Sequence, residues 1–179
     1  MLIYGGSQGA KAINEAVAAW VARELPDSLF VIWATGDRTY PEFKNLETDR
    51  VRIRPYLSPI ANAYAAADFA LSRGGAMATA ELCAWGIPPI VVPLPTAAAD
   101  HQTANAKALA AAGAAELIPQ SQLTPQRLNQ SVLALLSDPN LLAERGQAAS
   151  SRARPEAAMD IARHILSMID VKEIRGTRS

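Results

Sequence analysis

The chain has 179 residues, half of them hydrophobic and only 6% aromatic, with alanine abundant. That is enough for one domain with a sizeable buried core, and it argues against a disordered chain. Lysine plus arginine equals aspartate plus glutamate at 17 each, so no net field draws the chain to nucleic acid or to an anionic membrane.

Met1-Leu2-Ile3-Tyr4 opens the sequence as a core strand with no polar lead-in, which suggests a domain belonging to a longer chain. A strand is expected over Leu2–Gly5, then a glycine-rich loop and a helix over Ala10–Glu24 that Pro26-Asp27 ends. Strands follow at Leu29–Ala34 and Val51–Tyr56, a helix at Pro59–Ala67, a strand at Phe69–Ser72 and a helix at Ala76–Trp85. Next come a strand at Pro89–Pro93, a helix at Asp100–Ala112 that Gly113 ends, and a strand at Ala115–Ile118.

Three helices close the sequence: Thr124–Leu136, Asn140–Ser151 and Glu156–Ile169. Thr124-Pro125 is a start signal, a capping hydroxyl before proline at the first helical position, and Asp138-Pro139 reads similarly. Several strands are continuous apolar runs without alternation, as expected for parallel strands covered on both faces. The spacing predicts one α/β domain over residues 1–170, a Rossmann-like doubly wound parallel sheet. Residues 171–179 have little to bury and read as a frayed tail.

In such sheets ligands sit outside the carboxyl ends of the strands, and two loops there are rich in glycine. Gly5-Gly6-Ser7-Gln8-Gly9 joins the first strand to a helix whose N-terminal N–H groups and partial positive charge suit an anion. Its spacing is neither the dinucleotide fingerprint nor a Walker A loop, and a tight turn without ligand reads equally well. Arg73-Gly74-Gly75-Ala76 is the second such loop, with room for a diphosphate against the first helical turn. Glu81 lies six residues beyond Gly75, about 9 Å along a helix axis at ~1.5 Å per residue. That is similar to the reach from a nucleotide's distal phosphate to its ribose, whose two hydroxyls a carboxylate can accept. The alternative is a solvent-facing Glu81, since Met77 and Leu82 leave the helix face ambiguous.

A third cluster runs from Thr96 to Asn105. Gln102 and Asn105 are three apart and share a helical face, and neutral amides, with both donors and acceptors, suit sugar hydroxyls. Asp100 reads as a cap for this helix, and His101 as a local hydrogen-bonding residue rather than a catalytic base. No D-x-D, no H-E-x-x-H and no nucleophile elbow occurs, so metal dependence is not supported. Cys83 is alone, which excludes an intramolecular disulfide and points to a reducing cytosol. No stretch reads as a signal peptide, and no apolar run approaches the ~20 residues of a spanning helix.

Together, Gly5-Gly6-Ser7-Gln8-Gly9-Ala10, Ser72-Arg73-Gly74-Gly75-Ala76-Met77, Ala80-Glu81, Gly86-Ile87-Pro88, Asp100-His101-Gln102-Thr103-Ala104-Asn105-Ala106 and Ala112-Gly113-Ala114-Ala115 carry a resemblance. In order and spacing they resemble the C-terminal domain of the MurG family of GT-B-fold glycosyltransferases, from about Leu2 to Ile169. The resemblance implies a domain that binds UDP-N-acetylglucosamine for metal-independent, inverting transfer to the muramoyl-pentapeptide lipid, converting lipid I to lipid II. It implies no cofactor, a cytoplasmic place at the inner face of the plasma membrane, and an N-terminal domain, absent here, that carries the acceptor site, membrane contact and general base.

By the same resemblance, Gly6, Ser7, Gln8, Gly9, Arg73, Gly75, Ala76 and Met77 bind the donor, with Ser7 and the backbone at Gly75–Met77 holding the diphosphate. Glu81 takes the ribose hydroxyls, Leu57 presents backbone groups to the uracil edge, and Gln102 and Asn105 read the sugar. Gly74 stands where serine is common and Ala78 where threonine is common, which shifts phosphate binding towards backbone N–H groups. Lys11 replaces a frequent arginine. A donor-binding subunit of a split enzyme, a UDP-sugar epimerase and a nucleotide sensor are the alternatives. The epimerase requires catalytic carboxylates, and no persuasive acid/base pair appears in the sequence.

Overall fold

The computed structural model describes residues 1–6 and 9–168. Its six strands are β1 (Leu2–Tyr4), β2 (Val31–Ala34), β3 (Val51–Arg54), β4 (Ala70–Ser72), β5 (Pro89–Val91) and β6 (Glu116–Leu117). They form one sheet in the order β3-β2-β1-β4-β5-β6, every pairing parallel. This is the doubly wound Rossmann order, and its topological switch point lies between β1 and β4.

The helices are α1 (Lys11–Glu24), α2 (Tyr40–Phe43), α3 (Ile60–Ala65), α4 (Ala76–Ala84), α5 (His101–Ala111), α6 (Pro125–Ser137), α7 (Pro139–Ser151) and α8 (Ala157–Met168). The strands are one or two residues shorter than the stretches expected from the sequence, because hydrogen bonding stops where each chain turns into its loop. Tyr40–Phe43, with a 3-10 turn at Lys44–Leu46, has no counterpart in the sequence reading. Four helical residues are too few for a hydrophobic period to register.

Side chains alternate across the sheet. Ile3, Trp33, Leu71 and Ile90 pack with Ile13, Val17 and Trp20 of α1 and with Leu128 and Val132 of α6 in one layer. Leu2 and Tyr4 face the other layer, with Ala63 and Tyr64 of α3 and Leu82 of α4. Cys83 of α4, Ala106 and Leu109 of α5 and Ala149 of α7 extend that second layer under β5. Burial pushes the Cys83 thiol's pKa up and keeps the group out of solvent chemistry.

One polar group crosses the first layer. Asn14 is 1% exposed, accepts from the Trp33 indole N–H at 3.0 Å and donates to the Thr35 carbonyl at 2.8 Å. A buried amide must find such partners, and these tie the start of α1 to the carboxyl end of β2. Glu116 similarly joins β6 to α6 and α7, taking Arg127 at 2.6 Å, Ser131 at 2.7 Å and Arg145 at 3.5 Å.

Helix α8 differs from the rest. None of its residues is buried, and Ile161, Ile165, Leu166 and Met168 are exposed along it. Ile169 and the 171–179 tail lie outside the described residues. No helix among the described residues is long and apolar enough to cross a membrane.

Candidate functional site

The chain leaves β1 and β4 on diverging paths, and a cleft of about 540 Å³ opens between the two loops. Gly5, Gly6 and Gly9 line it from the first loop, Arg73 and Gly75 from the second. The two glycine-rich segments, separated by more than sixty residues in sequence, thus share one crevice at the switch point.

In the first loop Gly6 and Gly9 have φ of 90° and 75°, and the Gly9 N–H donates to the Gly6 carbonyl at 3.0 Å. A Cβ at Gly9 would run into the Thr35 carbonyl, and one at Gly5 into the Ala10 side chain. Glycine is therefore required here twice over, for the left-handed backbone and for the close approach to β2. Helix α1 starts after Ala10 with no side-chain cap. Ser7 and Gln8 lie outside the described residues.

The second loop divides its glycines differently. A Cβ at Gly74 would meet the Gln102 carbonyl, so glycine here lets the first turn of α5 pack against the loop. A Cβ at Gly75 would meet nothing within 4 Å. Gly75 is the N-cap of α4, again without a side-chain cap, so the first N–H groups of α4, on Ala76 and Met77, have no side-chain partner. Arg73 turns its guanidinium inward and donates to the Val92 and Pro93 carbonyls, each at 3.1 Å, which joins the ends of β4 and β5. Burial lowers its pKa from the ordinary value.

A second cavity of about 290 Å³ adjoins the cleft and shares Tyr4, Gly6 and Ala78 with it. Pro55, Tyr56, Leu57, Ile60 and Met77 give it an apolar lining, with Glu81 at its edge. Glu81 is half-buried and not the solvent-facing residue that the sequence left possible: its Oε2 accepts from the Tyr64 hydroxyl at 2.7 Å. The Tyr64 and Tyr4 hydroxyls are 3.3 Å apart. Burial is the largest cause that pushes the Tyr4 phenol up to about 12. Burial first, then the hydrogen bonds to Tyr4 and Glu81, raises Tyr64 as well.

The third cluster divides. Gln102 lines the large cleft, and its Oε1 accepts from the Leu94 N–H at 3.0 Å. Asn105 lines a separate cavity of about 230 Å³, and its Nδ2 donates to the Gly74 carbonyl at 2.9 Å. Asp100 does not cap α5: it sits at the N-cap position with φ of 53° and makes no cap bond, following Ala99 at φ 48°. Two successive left-handed residues thus stand where an extended N-cap backbone is usual. His101 Nδ1 bonds the Ala98 carbonyl at 2.7 Å, the local role expected of it.

Sequence reasoning missed Tyr4, Tyr64 and Gln120. Gln120 lines the cleft from the loop after β6, and its Oε1 is buried without a partner among the described residues. Only the fold brings these residues to the crevice, and no local pattern marks them. Among the described residues no group of three or more His, Cys, Asp or Glu could hold a metal ion.

The model of the glycosyltransferase family 28 C-terminal domain matches residues 1–161. The chain belongs to this family. Among relatives of the family 28 domain, proteins named UDP-N-acetylglucosamine–N-acetylmuramyl-(pentapeptide) pyrophosphoryl-undecaprenol N-acetylglucosamine transferase stand out. That of Chlorobium limicola is 38% identical over 170 residues, 94% of this chain and 46% of that protein. The Alkalilimnicola ehrlichii protein is 43% identical over 168 residues, 91% and 47% of the two. The crystal structure of Acinetobacter baumannii MurG superposes with a TM-score of 0.82 at 36% identity, covering 93% of this chain and 51% of that one. The fold is thus one half of a GT-B glycosyltransferase, and the chain spans about half the length of the curated relatives it matches.

Proposed function

We propose that this family 28 domain binds UDP-N-acetylglucosamine as the donor half of an inverting, metal-independent N-acetylglucosaminyltransferase that converts lipid I to lipid II. The observation that carries the reading is the convergence of two uncapped helix starts on one cleft, with Glu81 of the second helix at the edge of the adjoining apolar cavity. The uracil would occupy the cavity beside Leu57 and Met77, its edge on the Leu57 backbone. The ribose hydroxyls would donate to Glu81. The diphosphate would lie over Gly6, Gly9 and the N–H groups of Ala76 and Met77, and Ser7 and Gln8 would contact the donor. Arg73 would act from behind, holding the ends of β4 and β5 that carry the second loop. The sugar would extend towards Gln102, while Asn105 would act through Gly74.

In such a transfer the acceptor hydroxyl attacks the anomeric carbon and the UDP departs with growing negative charge. Preorganised N–H donors and a helix N-terminus stabilise that charge without a metal. The base and the acceptor lipid belong to the N-terminal domain, through which the whole protein would sit at the inner face of the plasma membrane. The half-length match and the exposed apolar residues of α8 support a second domain. The same match suits a split enzyme whose other half is a separate subunit, and co-purification of a partner with the native protein separates the two cases. The transferase names of relatives at 38% and 43% identity do not favour the epimerase.

Calorimetry on the chain tests the reading. UDP-N-acetylglucosamine should bind and ADP-glucose should bind at least about tenfold more weakly; equal or absent binding leaves only the fold. Glu81→Ala should weaken UDP by about 1.5–3 kcal/mol, the range for hydrogen bonds to a charged group. Unchanged affinity would remove Glu81 from the ribose role.

A further inference from the structure

Tyr64 is 3% exposed and comes from α3, a different element from the carboxylate it touches. Its ring is held from two sides, edge-on by Tyr4 at 6.3 Å between centroids and by Trp85 at 6.0 Å. The hydroxyl has one proton, and the 2.7 Å bond to Glu81 Oε2 uses it. With that proton committed, the Tyr4 hydroxyl is the donor towards the Tyr64 oxygen at 3.3 Å, the Ala78 carbonyl being a longer acceptor at 3.5 Å. The result is a directed chain, Tyr4 to Tyr64 to Glu81, in which each bond polarises the next. Both phenols are raised above their ordinary pKa, so the chain keeps its protons across the physiological range.

A glutamate side chain at a cleft edge has three rotatable bonds, and a carboxylate that accepts from two neighbouring hydroxyls must hold one orientation. We infer that Tyr64, backed by Tyr4, is a positioning residue that fixes the Glu81 carboxylate and so sets how strongly the site prefers ribose over 2′-deoxyribose nucleotides. The inference rests on the ribose role proposed for Glu81. Tyr64 occupies Oε2 and fixes the carboxylate plane, which presents Oε1 to the sugar. A ligand lacking the 2′-hydroxyl gives up half of that paired contact. With the phenol removed, the carboxylate samples other rotamers, and the ribose ligand loses its advantage while the deoxyribose ligand loses little.

The test is calorimetric titration of the 179-residue chain and its variants with UDP and 2′-deoxy-UDP, with melting curves to confirm folding. Tyr64→Phe keeps the packing and removes the hydroxyl alone. It should weaken UDP about tenfold, the size of one hydrogen bond to a charged group, and 2′-deoxy-UDP less than about threefold. Tyr4→Phe should act in the same direction and less strongly, and Tyr64→Phe should add nothing in a Glu81→Ala background. Equal weakening of both ligands, or none, overturns the positioning role. If Glu81→Ala abolishes the ribose preference while Tyr64→Phe preserves it, the ribose reading stands and the inference alone falls. If the unaltered chain shows no preference, the ribose reading falls and takes the inference with it.

Discussion

Helices α1 and α4 begin beside the cleft, α6 and α7 away from it, and the two pairs treat their first N–H groups in opposite ways. At α6 the Thr124 hydroxyl oxygen accepts from the Arg127 N–H at 3.1 Å, and at α7 one Asp138 carboxylate oxygen accepts from the Asn140 and Leu141 N–H groups, each at 3.0 Å. The starts of α1 and α4 follow Ala10 and Gly75 and have no side-chain cap. An orphan N–H needs a partner from a side chain, water or a ligand. Side chains thus satisfy these donors at α6 and α7, away from the cleft, and leave them without a side-chain partner at α1 and α4, beside it, as also at α2, α3 and α5.

The largest expected effect separates a glycine that builds the cleft from one that faces it. Gly9→Ala places a methyl against the Thr35 carbonyl at a backbone φ of 75°. Left-handed strain and displacement of β2 together should cost about 3 kcal/mol or more of stability, read as a lowered denaturant midpoint. A variant as stable as the parent would show that the loop moves freely and does not shape the crevice.

Gly75 should behave in the opposite way. Gly75→Asp transplants to α4 the solution used at α7: the backbone there is ordinary, φ −67° and ψ 142°, and space is open. Stability should stay level or rise by a few tenths of a kcal/mol. The new carboxylate takes the N–H groups and repels a diphosphate, so UDP should bind about 100-fold more weakly, about 2.7 kcal/mol. Gly75→Ala adds bulk without charge, and about a tenfold loss is expected at unchanged stability. If UDP binds Gly75→Asp as tightly as the parent, the uncapped start of α4 does not hold the phosphates.

The capped and uncapped starts were not equally legible in the sequence. Thr124-Pro125 and Asp138-Pro139 announce their caps, since a hydroxyl or carboxylate before proline leaves little else for the backbone to do. Asp100 also reads as a cap, though no proline follows it, and forms no cap bond: two left-handed residues, Ala99 and Asp100, precede α5 and no composition rule marks them. Short apolar stretches mark every strand, continuous in several and alternating in β3, and with them the parallel sheet and the position of both glycine loops. The division of Gln102 from Asn105 was hidden: three residues are about 4.5 Å along the axis, enough to put them in different cavities, with the Gln102 carbonyl and the Asn105 amide both packed on Gly74. The Tyr4–Tyr64–Glu81 chain was hidden for a different reason, since its members come from β1, α3 and α4 and meet only through tertiary packing.

The smallest effects come from the capped pair. Thr124→Ala removes the acceptor for the Arg127 N–H, and Asp138→Ala removes the one shared by Asn140 and Leu141. Each should lower stability by about 1 kcal/mol, the usual cost of an N-cap lost to alanine, with Asp138→Ala the larger because its carboxylate also faces the positive end of α7. Neither residue lines the cleft, so the UDP affinity of the folded chain should not change. A cap variant that loses both stability and affinity would mean that α6 and α7 transmit strain to the crevice through Glu116, which both helices share with β6 through Arg127 and Arg145. The open donors at α1 and α4 would then be only one part of what makes the cleft a binding site.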